Sequence, residues 1–384
     1  MLHRCDERLE ELNMCFWTSV SIPNDLAASI ISLYLETDHP LLGTFDPNLF
    51  IDDLVNCRLR HCSGLLVSAL MYWGCQMYSA SVPEVRKYLP QFSEEAEKRW
   101  SEEKAIDSLL NLAGTQLLGL AYLGDGKDHY FLTYVSEANA MGTWMGLFGV
   151  NPEMVASKVR EIAPELQNAT SYAAWSTFNW IILIALFYQQ PGLAYPEHPP
   201  ALPIPRRGWH RGPVDSAEPV QESLQSTYIG DTFPVLCRFW RSVHEVTLRY
   251  YRDQPLLHRH LSDHVSLAFA EYKYRELIAW AETLPSSMMR SEKSPHHVLT
   301  FQKGTAWHFY LFFCIQCYGR LQQSYRFAEA IGRSLISMAL QKGGLSANEA
   351  QRIMQQFEEE RLSKPLEDIR ATFMADLNLA MMVP

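Results

Sequence analysis

The stretch PNDLAASIISLYLETDHPLLGTFDPNLFIDDLVNCRLRHCSGLLVSALMYWGCQMYS, residues 23–79, decides the fold. Pro23-Asn24-Asp25 is a helix-start signal, and behind it Leu26, Ile30, Leu33 and Tyr34 recur at the spacing of one helical face until the run stops before Pro40. Past Ser63, a residue suited to an N-cap, Leu66, Leu70, Trp73 and Met77 form a second stripe. Working outward, a third helical segment opens at Ser93, where Glu94 and Glu95 suit the positive end of a helix dipole. Its stripe of Ile106, Leu109, Leu110, Ala113, Leu117, Leu120 and Ala121 closes at Gly124-Asp125-Gly126. Far downstream, Leu267, Ala270, Tyr274, Leu277 and Ala281 line one face ahead of Leu284-Pro285. Residues 129–135 alternate as a strand would, without a partner strand nearby. The expected fold class is all-α: two packed helical halves joined by a Pro-rich crossover.

Composition narrows the classes. Of 384 residues, 47% are apolar and 20% charged, which excludes a disordered or collagen-like chain. A net charge of −10 argues against a bare nucleic-acid surface, because phosphate neutralisation needs clustered Lys and Arg. Eight cysteines (5, 15, 57, 62, 75, 237, 314 and 317) lie mostly among apolar residues at irregular spacing, as reduced core thiols do. The first residues are too charged for a signal peptide. Segments 175–188 and 306–318 are apolar but shorter than the roughly 18–20 residues of a spanning helix, so no membrane association is expected. Eight of the 21 prolines fall between 190 and 221, where no helix can persist. Within it, Arg206-Arg207-Gly208-Trp209-His210-Arg211 is the most basic spot, a solvated loop or a nuclear-import patch. No internal repeat is evident.

Constellations that could carry chemistry fail for stated reasons. Cys314-Ile315-Gln316-Cys317 lacks the second pair that a four-ligand zinc site needs. His258, His260, Asp263 and His264 lack a general-base Glu and a third ligand. Ser101-Glu102-Glu103-Lys104 has the serine–lysine spacing without the companion motifs. Gly124-Asp125-Gly126 lacks the third glycine of a dinucleotide loop. Glu358-Glu359-Glu360 keeps a helix face soluble. No catalytic residue and no metal ligand is assigned, and the chain is not read as an enzyme. A binding cavity is expected, if anywhere, where Trp175, Asn179 and Trp180 meet His308, since aromatic walls with a few polar groups are what cavities contain.

Residues 17–79 resemble the opening of the regulatory "middle homology" domain of fungal binuclear zinc-cluster transcription factors. The matching points are Leu33-Tyr34, His39-Pro40, Phe45-Asp46, Phe50, Asp53-Leu54, Cys62-Ser63 and the apolar run 66–70. Four later passages follow in the family's order: 116–124 with 139–150, the Trp-containing 174–180, the stretch 274–285 ending in Leu-Pro, and 297–310. On physical grounds His39-Pro40 reads as a helix stop, and Asp46, Asp53, Cys62 and Ser63 as turn, cap and packing residues rather than ligand contacts. Two positions depart from the pattern: Phe148 stands where the family has His, and Ala140 where it has Arg.

The resemblance implies a fungal transcription factor regulatory domain over 13–325, with halves 13–190 and 222–325 and a crossover at 191–221. Residues 1–12 are then an N-terminal extension, and 326–384 a C-terminal helical segment mixing acids with large apolar residues. It implies a nuclear transcription regulator, or a co-regulator, that dimerises with itself or a related factor, engages the transcription machinery and responds to a small-molecule effector. The family's zinc-cluster module is not recognisable here, with only Cys5 and Cys15 ahead of the domain. Zinc is expected only in that module, so no cofactor and no sequence-specific DNA contact is expected of this chain. The alternative is a small-molecule-binding protein or enzyme built on the same scaffold.

Overall fold

In a computed structural model of the chain, the described residues are 4–154, 162–188, 195–205, 232–252, 266–282, 332–333, 336–337, 339–340 and 345–362. Every regular element among them is a helix. In order these are α1 (Met14–Trp17), α2 (Asn24–Thr37), α3 (His39–Leu42), α4 (Pro47–Val55), α5 (Gly64–Tyr78), α6 (Leu89–Glu103), α7 (Leu109–Gly124), α8 (Asp128–Trp144), α9 (Pro164–Tyr188), α10 (Thr232–Arg252), α11 (Leu267–Glu282) and α12 (Ala347–Leu362). Short 3₁₀ turns precede α1 and α6. Among the described residues no helix is long and apolar enough to cross a membrane.

The chain divides into two compact units that interleave along the sequence. The larger comprises Met1–Gly74, Tyr88–Leu118 and Tyr134–Met289; the smaller comprises Cys75–Lys87, Gly119–Thr133 and Arg290–Pro384. In the smaller unit, Gln76 donates to the Ala121 carbonyl at 2.9 Å, and Tyr122 stacks on Tyr130. Ile336, Ala339, Leu345 and Ala350 bury together, and Ser346 and Glu349 exchange hydrogen bonds in a capping box that starts α12.

The start of the larger unit shows why residues 23–79 fold as they do. Ile30 and Tyr34 are buried as their spacing predicts, joined by Ala27, Ala28, Ile31 and Leu35, while Leu26 and Leu33 lie at the rim. The helix stop falls at Asp38; His39-Pro40 then opens the single turn of α3, where proline's missing N–H costs nothing. The His39 ring is buried among Tyr34, Phe45 and Tyr172, with centroids 5.9, 4.7 and 5.9 Å away. Asp46 caps α4 by accepting from the Asn48 and Leu49 amides and takes a further bond from Asn168 at 2.7 Å. Asp53 accepts from the His61 amide, Cys62 is buried, and Ser63 caps α5 through the Leu66 amide.

α5 carries no solvent face over most of its length: Leu65, Leu66, Val67, Ser68, Ala69 and Leu70 are all buried. Two glycines permit this packing, since a Cβ at Gly74 would strike Ile30 and one at Gly114 would strike Leu65. Within residues 4–12, Leu9 and Leu12 are buried and Arg4 pairs with Asp25 at 2.6 Å.

Four local expectations are corrected. The segment expected to run unbroken from Ser93 to Gly124 is two helices, and Ile106, placed on its buried stripe, is 60% exposed in the break. Ser108 caps α7 there, and the Asn111 amide donates to the Glu103 and Ile106 carbonyls left over from the end of α6. Residues 129–135, which alternate as a strand would, lie within α8. On α11 the expected face is the outer one: Leu267 is 85% and Tyr274 65% exposed, while Lys273 is buried between Glu245 and Glu276, each at 2.6 Å. Cys15, grouped with the core thiols, is exposed.

Glu95 sits inside α6 rather than at its start. It accepts from Ser19 N–H at 2.9 Å, from the Thr18 and Ser68 hydroxyls, and from Arg99 at 3.1 Å. Burial favours its protonated form, but the Ser19, Thr18 and Arg99 interactions outweigh this and hold the carboxyl below its ordinary range. Arg99 also donates to the Trp17 carbonyl, so one ion pair ties α6 to the segment after α1.

Gly43 ends α3 in the left-handed region at φ 57°, and an added Cβ there would run into the Phe233 ring of α10. Gly43→Ala therefore combines backbone strain with overpacking. A loss of about 2–4 kcal/mol is expected in the urea unfolding midpoint.

Burial pushes the Asp38 carboxyl up to about 6, against hydrogen bonds from Thr37 and Trp73, and drives the neighbouring His39 imidazole down to about 3. Asp38 thus adds stability as pH falls below 6 toward its ordinary 3.8, whereas His39 removes stability as pH falls from its ordinary 6.5 toward 3. In the wild type the two slopes largely cancel. Between about pH 7 and pH 4, Asp38→Asn should lose stability on acidification and His39→Phe should gain it, read from urea midpoints across that range.

Candidate functional site

α9 is the element around which the candidate site forms. From Leu166 to Tyr188 its sequence contains no charged residue, and residues 171–179 are all buried. A helix buried on every side must find partners for its polar side chains within the protein. Three neighbours supply them.

α7 contributes Gln116. Its amide nitrogen donates to the Thr177 hydroxyl, and its carbonyl oxygen accepts from the Ser176 hydroxyl at 2.9 Å. Thr177 in turn donates to the Ala173 carbonyl of its own helix. α10 contributes the stripe Phe233, Cys237, Trp240, His244 and Thr247 at helical spacing, of which Phe233, Cys237, His244 and Thr247 are buried. Phe233 stacks on Tyr172 at 5.5 Å, His244 lies 5.0 Å from Phe178, and the Asn179 amide donates to the Cys237 sulfur at 3.3 Å. Burial pushes the Cys237 thiol up to about 12, so it stays protonated and packs as a small apolar group.

The third neighbour is a strap, residues 195–205, with the sequence YPEHPPALPIP. The Trp175 indole donates to the Leu202 carbonyl at 3.0 Å, and the Gly149 amide donates to the His198 carbonyl at 2.8 Å. His244 Nε2 lies 2.7 Å from the Pro196 carbonyl, which can only accept, so this nitrogen carries the proton. Tyr195 stacks on the His244 ring with 11° between planes, and its hydroxyl bonds to Thr247. Leu202 is buried against α9 and α10, with Tyr195 and Ile204 packed at the edge.

Of the residues expected to edge a cavity, Trp175 and Asn179 share one face of α9, one turn apart. Trp175 is 2% exposed and occupied by its bond to the strap. Trp180 lies about 140° around the helix from Trp175 and is half-buried, so it does not converge with the other two. His308 is outside the described residues, as are the basic run 206–211, the histidines 258–264, the Cys314–Cys317 pair and the acidic-apolar tail beyond 362. Two buried oxygens on α9, Asn179 Oδ1 and Ser171 Oγ, have no hydrogen-bond partner among the described residues. Among the described residues no cluster of three or more His, Cys, Asp or Glu side chains is placed to hold a metal ion.

At the family-departure positions, Phe148 is buried over Gly142 and 6.3 Å from Phe178, while Ala140 is exposed. Sequence reading placed Cys237 among the core thiols, as found, and missed Gln116, His244 and the docking of the strap. The stripe from Phe233 to Thr247 was the available signal for the first face of α10. Nothing local marks Gln116, whose partners lie about 60 residues away.

No known family model matches the chain, and neither the curated proteins nor the solved structures contain a match to it.

Trp175→Phe keeps an aromatic side chain but deletes the donor and part of the indole, leaving a small void and the Leu202 carbonyl without its bond; a loss of about 2–4 kcal/mol is expected by chemical denaturation. Asn179→Leu removes one weak N–H···S bond together with an unpartnered carbonyl. The same measurement should therefore move by less than about 1 kcal/mol.

Proposed function

We propose that the chain is the regulatory scaffold of a fungal zinc-cluster-type transcription regulator, acting in the nucleus. The observation that carries this reading is the ordered succession of family-like passages in an all-helical fold, with the residues of the opening passage built into the larger unit; the passage 297–310 lies outside the described residues. His39 packs in the aromatic cluster, Asp46 and Ser63 cap successive helices, and Asp53 and Cys62 organise the turn between them. A scaffold of packed helices suits regulation, because an effector that prefers one packing shifts the population toward it. In this reading the partners are a second copy or a related factor, and the transcription machinery. Sequence-specific DNA contact is assigned to a zinc-cluster module and not to these helices.

A second reading, a small-molecule-binding protein on the same scaffold, is favoured by one observation. Asn179 Oδ1 and Ser171 Oγ are buried acceptors without a partner among the described residues, a cost that a bound donor would remove.

Fusion of the whole chain to a heterologous DNA-binding domain in a fungal reporter strain tests the regulatory reading. Reporter output should change at least severalfold, alone or alongside a full-length homologue. Unchanged output with the fusion present in the nucleus would sink that reading and leave small-molecule binding as the better account.

A further inference from the structure

The strap at 195–205 is held in an unusual way for a connection between helices. Its five prolines, 196, 199, 200, 203 and 205, cannot donate backbone hydrogen bonds, and the body of the larger unit addresses its carbonyls instead. Trp175 binds the Leu202 oxygen, Gly149 the His198 oxygen and His244 the Pro196 oxygen, while the His244 ring stacks on Tyr195. Leu202 fills an apolar site formed by α9 and α10. Aromatic walls, an indole N–H and a second ring donor directed at main-chain carbonyls, and a side-chain socket between them are the chemistry by which proteins recognise proline-rich peptides. None of these contacts requires the peptide to be covalently joined to the groove.

We propose that the groove between α9 and α10 is a proline-rich-peptide site that the chain fills in cis with residues 195–205, and that a proline-rich segment of a partner protein takes it in trans. The strap then acts as an internal competitor: the apparent affinity for the partner is the intrinsic affinity multiplied by the fraction of molecules in which the strap is undocked. The groove reads carbonyl positions, prolines and one buried aliphatic side chain. The partner segment therefore needs an aromatic residue before its first proline and a Leu-like residue six positions beyond that proline, as Tyr195 and Leu202 stand to Pro196. This inference is independent of the transcriptional reading, and its test uses no reporter.

The probe is a labelled peptide of sequence YPEHPPALPIP, titrated into the full chain and followed by fluorescence anisotropy. The strap-weakened double variant Tyr195→Ala/Leu202→Ser leaves Trp175, His244 and Gly149 untouched. It should bind the peptide at least tenfold tighter than the wild type does. A peptide with all five prolines replaced by alanine should bind at least tenfold more weakly. Equal affinity in the two proteins, with helical content intact by circular dichroism, overturns the proposal, as does equal binding of the alanine peptide.

If the double variant does not fold, the wild type decides. Cleavage after Glu197 by a glutamate-specific protease should accelerate severalfold under saturating peptide carrying Gln at the glutamate position, and an unchanged rate overturns the proposal. Light scattering accompanies both measurements. A monomer with bound peptide supports a partner protein as the source; concentration-dependent dimers of wild type that the peptide dissolves would assign the groove to a second copy instead, and overturn the partner assignment.

Discussion

A long helix with no solvent face constrains everything around it in the larger unit. Between residues 171 and 179 every side chain of α9 is buried, yet Ser176, Thr177 and Asn179 bring hydroxyl and amide groups into that interior. Each such group left unpaired costs on the order of 1–3 kcal/mol. The surroundings are arranged accordingly: α7 presents Gln116, α10 presents Cys237, and the Trp175 indole reaches the strap. Polar bonds of this kind have narrow geometry, so they select one packing of the helices where apolar contacts alone tolerate several. Among the described residues, Asn179 Oδ1 and Ser171 Oγ are two points on this helix where a buried polar atom is left unpaired.

Charge is handled by the same logic at two other points. Glu95 lies within α6, and its carboxylate gathers an amide and three hydroxyls from Thr18, Ser19 and Ser68, together with the guanidinium of Arg99 one turn along the same helix. Lys273 is buried on α11 between two carboxylates, one of which also accepts from Ser242 of α10. In both cases removing a partner would leave a partly buried charge short of its hydrogen bonds. These clusters join helices through directional bonds, and they add no reacting group: each charge is already matched.

The strap links the scaffold to a function it could perform. Its five prolines remove donors from the main chain, and the carbonyls of Leu202, Pro196 and His198 are met by a tryptophan, a histidine and a glycine amide on three separate elements. A tie made of a few side-chain bonds and one buried leucine is replaceable by another segment of the same chemistry.

The helical class, most helix stops and the capping residues were legible locally. Ser63, Asp46 and Gly124-Asp125-Gly126 act through neighbours three or four residues away, and the apolar period of α2 marks its buried side. Non-local choices were not. The face of α11 is settled by Glu245, which draws Lys273 inward and turns Leu267 and Tyr274 out against the apolar pattern. The break before α7 depends on Asn111 satisfying carbonyls eight and five residues back, a bond that no periodicity reveals. Gly43 must be glycine because of Phe233, 190 positions later, and Trp175 and Asn179 share a helix face while their hydrogen-bond partners come from elsewhere in the chain. Short-range backbone sterics and side-chain caps are written in consecutive residues, so the sequence alone determined that this chain is helical and where some of its helices begin and end. Which faces meet, which polar groups are paired and what fills the groove over α9 and α10 were decided only by tertiary structure, because desolvation is a property of the assembled surroundings and not of the residue.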